Sequence, residues 1–337
     1  MATIKDVAAL AQVSTSTVSH VINQTRVVSD EATARVHQAI AELNYIPNTM
    51  ARSLKGGGSQ VLGMLVTDST NPFYANLIQQ VDRIAYQKGY NLILCNTHGE
   101  PNRAREYLDM LLQRRIDGLL VMSAEARLDG MELLQSRSNM PVVVMDWGPS
   151  NEFVDKIQDD SQFGGYLATR HLIENGHTDI CCVMGPLQKS NSRQRLEGYQ
   201  RAMQEAGLSV AEGHVVETSF SSEGGWQAMN QLIAQDRVPG AIFAGNDLIA
   251  LGVIRAANEA GIRVPEQLSI VGYDDIPQAE FFSPSLSTIR QPVEQLASEA
   301  IELLMQRVAQ PHRDKQTLKL RSQLISRSSV LASQAQR

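Results

Sequence analysis

From residue 60 onward, short apolar runs recur at regular intervals, and this recurrence leaves few folds open. VLGMLV, NLILCN, DGLLVM and PVVVMD form one series; DICCVMG, PGAIFAG and QLSIVGYD form a second that begins after Asp159. Between them lie amphipathic stretches such as FYANLIQQVDRIAYQKG and SRQRLEGYQRAMQEAG, each ending near a glycine. A strand that is apolar along its whole length has no polar face to give to water. It must be covered on both sides, and helices alternating with such strands do this in doubly wound parallel sheets. Two series predict an α/β protein with two such lobes. At 337 residues and 43% hydrophobic content, the chain has material for two or three domains.

In folds of this kind, ligands bind beyond the carboxyl ends of the strands. The residues there share a chemistry. Asn71, Phe73 and Tyr74 follow VLGMLV, Asp146 and Trp147 follow PVVVM, and the loop after DICCVMG reaches Arg193 and Arg195. Phe220 follows HVVETS, Asn246 and Asp247 follow AIFAG, Asp274 and Asp275 follow LSIVGY, and Gln291 follows LSTIR. Carboxylates and amides bridge adjacent hydroxyls, an arginine donates in a fork, and aromatic faces cover C–H surface, so the set suits a small polyhydroxylated ring. Each residue also has a purely structural reading: strand-end aspartates such as Asp247 cap the next helix, and aromatics fill cores.

The first 45 residues follow a different pattern. Thr3 and Asp6 make a capping-box-like start to a helix with Ile4, Val7, Ala8 and Ala11 on one face. After the short turn QVS, Ser14 can cap a second helix, TSTVSHVIN, whose Val18, Val21 and Ile22 face inward. Its other face is Thr15, Ser16, Ser19, His20 and Asn23, all short polar groups able to meet base edges or phosphates. A third helix runs from the Ser29/Asp30 cap to about Leu43, with Val36, Ile40 and Leu43 inward. This is the helix-turn-helix pattern, whose second helix enters the major groove of DNA; a plain helical bundle with a solvated face has the same spacing.

The stretch YIPNTMARSLKGGGS at residues 45–59 joins a glycine joint to an apolar Met50/Ala51/Leu54 stripe, with Asn48 as a cap after Pro47. So short a helix is unstable alone in water and needs a partner surface. On DNA, Leu54 can wedge between base pairs from the minor groove while Arg52 or Lys55 meets phosphate or groove.

The run IKDVAALAQVSTSTVSHVIN, followed by YIPNTMARSLK, closely resembles the lactose and galactose repressor family of bacterial regulators. Over the full chain, STNPFY, LCNT, MDWGP, IQDDS, GPLQK, RLEGY, GNDLIALGV and GYDDI resemble segments of that family's ribose-responsive members. The resemblance implies a DNA-binding head at residues 1–46, a hinge helix and linker at 47–59, and an effector and dimerisation domain at 60–337 similar to periplasmic sugar-binding proteins. Lobe 1 is expected at about 60–160 plus 292–322, lobe 2 at about 161–290 plus 323–337. The residues matching Thr15, Ser16, His20, Asn23, Arg26, Leu54 and Lys55 are implied to contact the operator. Those matching Asn71, Phe73, Tyr74, Asp146, Arg195, Phe220, Asn246, Asp274 and Gln291 are implied to line the sugar pocket. Trp147 joins the set, although the ribose-transport proteins carry arginine there.

The implied function is a dimeric, sequence-specific repressor of ribose genes, released from a pseudo-palindromic operator by D-ribose or a related pentose. Purine-type control, with hypoxanthine or guanine strengthening DNA binding, is the alternative. The tail VLASQAQR lacks the heptads that make tetramers in the family, so dimers are expected. Dimerisation also suits the charge. The chain carries a net charge of −6, and residues 1–58 offer only Lys5, Arg26, Arg35, Arg52 and Lys55 against Asp6, Asp30, Glu31 and Glu42. Affinity must therefore come from placed contacts and from two heads.

Other classes fit less well. A solute-binding transport protein would need a signal peptide, and MATIKDV has no apolar core for one. No run reaches the roughly 18 apolar residues of a membrane span, so a cytoplasmic protein without membrane contact is expected. No P-loop, G-x-S-x-G or H-E-x-x-H is present, so neither an enzyme, a cofactor nor a metal is expected. Cys95, Cys181 and Cys182 sit in apolar runs without metal-ligand spacing and read as buried thiols.

Overall fold

The computed structural model describes residues 2–46, 58–122, 140–145 and 154–332. The chain divides into two compact units, Met1–Ser59 and Gln60–Arg337.

In the first unit, α1 (Ile4–Leu10), α2 (Thr15–Asn23) and α3 (Asp30–Glu42) form a three-helix head. The capping box closes as the sequence implies, with the Thr3 backbone N–H donating to Asp6 Oδ2 at 2.7 Å. Ser14 Oγ accepts from the Thr17 amide at 3.1 Å, and the Ser29 side chain caps α3. Val7, Ala8, Ala11, Val18, Val21, Val36 and Ala39 make the core. Ile4, Ile22, Ile40 and Leu43 pack against it while staying half-buried, because so small a bundle has too little interior to enclose every apolar side chain.

The second unit holds two six-stranded sheets. Its first lobe starts with β1 (Val61–Val66), α4 (Pro72–Gln87), β2 (Asn91–Asn96), α5 (Pro101–Gln113), β3 (Gly118–Met122), β4 (Val142–Met145) and β5 (Asp155–Asp159). The chain then crosses into α6 (Ser161–Glu174), β6 (Ile180–Met184), α7 (Ser190–Glu205), β7 (Val215–Glu217), α8 (Ser222–Ala234), β8 (Ala241–Ala244), α9 (Asp247–Glu259) and β9 (Ser269–Asp274). A 3-10 turn (Pro277–Phe281) leads to β10 (Ser287–Arg290), after which the chain returns as α10 (Val293–Ala309) and β11 (Thr317–Leu320) and ends in the second sheet as β12 (Gln323–Ile325).

The strand orders are β11-β5-β4-β3-β1-β2, parallel throughout, and β12-β10-β9-β8-β6-β7, parallel except for the β10–β12 pair. The central strands β3, β4, β6, β8 and β9 are buried along their whole length, as strands covered by helices on both faces must be. The three cysteines are free and buried in these cores, and burial pushes the Cys95 thiol up to about 11 and Cys181 up to about 12.

One buried ion pair ties the end of α10 to the first sheet. Arg307 donates from Nε and Nη2 to both oxygens of Asp155, at 2.9 and 3.1 Å, and to the carbonyls of Pro311, Arg313 and Asp314. Arg313 lies 3.1 Å from the same carboxylate. Removing one partner of a buried pair leaves the other charge uncompensated, which costs about 3–5 kcal/mol. Arg307→Ala is expected near the lower end of that range, because Arg313 still faces Asp155, and the loss should appear as a lower urea midpoint of the full chain.

Candidate functional site

In the head, α2 presents the polar face expected of it, but its side chains are not equally available. Ser16 Oγ lies 2.7 Å from Ser14 Oγ and so shares in the helix cap. Asn23 turns its amide back on its own helix, donating to the Ser19 carbonyl at 2.8 Å and to the Ser19 hydroxyl at 3.2 Å. His20 is held through Nδ1 by the Thr25 hydroxyl at 2.8 Å, an arrangement that fixes the ring. Thr15 and Arg26 are exposed, one at the first turn of α2 and the other just past its end. Leu54 and Lys55 lie outside the described residues, as do Asp146 and Trp147 of the effector set.

In the second lobe of the larger unit, four of the predicted effector residues meet. Arg195 is fully buried on α7 and donates from Nη1 to the Gly245 carbonyl at 2.6 Å, while Nη2 lies 3.5 Å from Asp274 Oδ1. Its guanidinium stacks on Tyr273, 3.6 Å above the ring centroid. Gln291 Nε2 donates to the same Asp274 oxygen at 2.7 Å. Asn246, next to Gly245, caps α9 by accepting the Ile249 amide at 2.8 Å. Each is anchored through backbone or a buried partner, so the cluster is rigid before any ligand arrives.

Its capacity for a ligand lies in what is left over. Asn246 Nδ2, a donor, and Gln291 Oε1, an acceptor, are buried without a hydrogen-bond partner among the described residues. A buried polar group left unpaired costs about 1–3 kcal/mol, so these atoms are ready to be satisfied by something else. Asn191 Nδ2 and Ser192 Oγ are in the same condition, in the first turn of α7, and Asn191 stands one helical turn before Arg195 on the same face. These two were not singled out in the sequence, where SNSR reads as an ordinary polar helix start.

Charge in the cluster is balanced. The single guanidinium of Arg195 faces the single carboxylate of Asp274, whose backbone is held at a positive φ of 105°. Burial pushes the Asp274 carboxyl up to about 6, against the opposing pull of Arg195 and Gln291. The neighbouring Asp275 pairs outward instead, with Arg290 at 2.5 Å and Arg327 at 2.8 Å. Asp247 does not cap α9 as the sequence suggested: Asn246 takes the cap, and Asp247, the first residue inside the helix, is instead an anchor that accepts from Thr288 at 2.6 Å and the Ile276 amide at 2.8 Å.

The aromatic residues divide. Phe220 lies over Gly185 so closely that a Cβ there would come within 2.4 Å of the ring. Phe73 and Tyr74 pack edge-to-face, with centroids 6.0 Å apart, and both belong to the main hydrophobic core. Asn71 caps their helix by accepting the Phe73 amide at 3.0 Å. Beside the Asp274–Gln291 pair lies a cavity of about 790 Å³ bounded by α4 and α10, with Arg83 and Arg290 at its rim. Phe73, Tyr74 and Phe220 do not line it. Among the described residues no cluster of metal-ligating side chains occurs, and no helix is long and apolar enough to cross a membrane.

Comparison with known proteins places this geometry in context. Residues 3–48 match the model of bacterial regulatory proteins of the lacI family, and residues 169–330 match a periplasmic binding protein-like domain. The chain is 48% identical to the ribose operon repressor of Escherichia coli (strain K12) over 330 residues, covering 98% of this chain and 100% of that one. It is 47% identical to the HTH-type transcriptional repressor PurR of Photobacterium profundum, with 98% and 99% covered. A LacI family transcriptional regulator from Enterococcus faecium, solved with bound ribose, matches at 32% identity and a TM-score of 0.75, over 81% of this chain and 100% of that one.

Proposed function

The chain belongs to the lacI family of bacterial regulatory proteins and is a transcriptional repressor, and from that premise we propose that D-ribose is the effector that releases it from its operator. One observation carries the proposal. The Arg195–Asp274 pair balances its own charge, and beside it the donor Asn246 Nδ2 and the acceptor Gln291 Oε1 are buried without a partner among the described residues. A hydroxyl both donates and accepts, so a vicinal diol satisfies Asn246 and Gln291 together without bringing in charge that the site cannot balance. An anionic ligand would leave its charge uncompensated beside Asp274. Ribose bound to the Enterococcus faecium regulator supports the same choice.

The protein acts by binding alone, as a dimer whose two heads each read one half-site of the operator. The larger unit supplies the effector crevice between its lobes, and residues 47–59 are the link through which closure reaches the head. Effector occupancy weakens DNA binding by favouring the lobe arrangement that the operator-bound form does not adopt. Control of ribose uptake and catabolism genes follows from this effector. A purine base acting as corepressor is the second reading, favoured by the 47% identity to PurR.

Calorimetric titration of the full chain with D-ribose, hypoxanthine and guanine decides between them, and binding only to the bases would overturn the ribose reading. The pH dependence adds a check on the site. The carboxylate form of Asp274 accepts ligand hydroxyls, and that form is lost as pH falls through about 6. Ribose affinity is therefore expected to be about tenfold lower one pH unit below that point than well above it. An affinity that is flat across this range would remove Asp274 from the contact set.

A further inference from the structure

Three stretches of chain cross between the two lobes: after β5 at Asp160, between β10 and α10 at Gln291 and Pro292, and between β11 and β12 at Arg321 and Ser322. Side chains at these crossings are joined to one another. Asp159 accepts from the Ser161 hydroxyl at 3.2 Å and from the Tyr273 hydroxyl on one carboxylate oxygen, and from the Ser322 hydroxyl on the other. Tyr273 supports Arg195 with its ring, Arg195 faces Asp274, and Asp274 holds Gln291. One continuous series of contacts therefore runs from the first and third crossings, through the effector cluster, to the second. None of Asp159, Ser322, Tyr273, Arg195, Asp274 and Gln291 is more than 3% exposed.

The seat of the Tyr273 hydroxyl is built into the packing. A Cβ at Gly164 would stand 2.2 Å from that oxygen, so α6 approaches β9 at a glycine and leaves the hydroxyl its path to Asp159. Asp159 itself is removed from water, which pushes its carboxyl up from the usual range against the pull of the Ser322, Tyr273 and Ser161 hydroxyls, and the three hydroxyls hold both of its oxygens in place. A shift of the crossings therefore displaces Asp159, and through it the ring on which Arg195 rests.

We propose that Asp159 and Tyr273 are positioning residues of the effector site, which set Arg195 and bind it to all three crossings, so that lobe angle and effector occupancy act on the same side chains. The proposal rests on the reading of Arg195 and Asp274 as effector contacts. Neither Asp159 nor Tyr273 need touch the ligand.

Tyr273→Phe keeps the ring beneath Arg195 and deletes only the link. In the ligand-free, full-length chain, amide exchange read by mass spectrometry is expected to quicken at least about fivefold in peptides covering all three crossings, while peptides covering β2 and β7 at the far sheet edges keep their rates. Ser322→Ala leaves Tyr273 undisturbed and should quicken the first and third crossings only; it decides the matter if Tyr273→Phe fails to fold. Unchanged exchange at the crossings, or faster exchange confined to β9, overturns the proposal. This arm needs no ligand, so it stands even if the wild-type chain proves not to bind D-ribose, an outcome that would count against the proposed effector alone. Where the wild type does bind D-ribose, the ratio of operator affinities without and with the sugar is expected to fall at least about threefold in Tyr273→Phe, and a wild-type ratio also overturns the proposal.

Discussion

Arg195→Ala is expected to reduce D-ribose affinity by about two to four orders of magnitude, the range for truncating one partner of a buried, hydrogen-bonded charge pair. The loss has several sources. The fork that donates to Gly245 and faces Asp274 disappears, the face of Tyr273 loses its cover, and Asp274 is left buried without its cation. The fold should survive. Arg195 is what pulls the Asp274 carboxyl down against burial, so without it Asp274 takes up a proton and remains neutral at ordinary pH. A neutral carboxyl is a donor where the site needs an acceptor, so binding stays lost. Arg195→Lys is expected to fail nearly as badly, since an ammonium cannot stack on Tyr273 while reaching two acceptors in a plane. Calorimetry with D-ribose, circular dichroism for the fold and operator binding without sugar together test this. Near-wild-type sugar affinity with the fold intact would remove Arg195 from the site.

Most of this architecture was legible in the sequence because it rests on local rules. Caps at Thr3, Ser14 and Ser29 depend on residues within three positions, and the central strands announce themselves by continuous apolar runs. Strands without such runs were not legible as strands: β5 is DKIQD, and β11 and β12 have four and three residues at the sheet edges. Pairing with a neighbour, rather than composition, makes them strands.

At the site, the sequence pointed to strand ends, and Arg195, Asn246, Asp274 and Gln291 do converge there. What local rules could not supply were partners far along the chain. Asp159 meets Tyr273 across 114 positions and Ser322 across 163, and Arg307 meets Asp155 across 152. Nor does residue type say which of two uses a polar group serves. Asn23 and Ser16 carry the right chemistry for DNA, yet both spend part of it on their own helix, whereas Thr15 on the same face is exposed.

That difference makes the head testable by two substitutions with distinct signatures. On a dimer, one change alters both half-sites, so a contact worth about 1–2 kcal/mol to one head costs about 2–4 kcal/mol in the complex, or roughly thirty- to a thousandfold in operator affinity. Thr15→Ala is expected to show this loss on an operator selected from a pseudo-palindromic library, and to relax the base preference at the position it reads. Ser14 caps α2 independently of Thr15, so the helix itself should remain. Arg26→Ala is expected to weaken binding to every sequence alike. It removes one cation per head, and two fewer phosphate contacts lower the slope of log affinity against log salt by about 1.8. Fluorescence anisotropy at several salt concentrations separates the two effects. A slope that falls with Thr15→Ala and holds with Arg26→Ala would reverse their roles, and wild-type affinity in both would move the reading surface away from the start and end of α2.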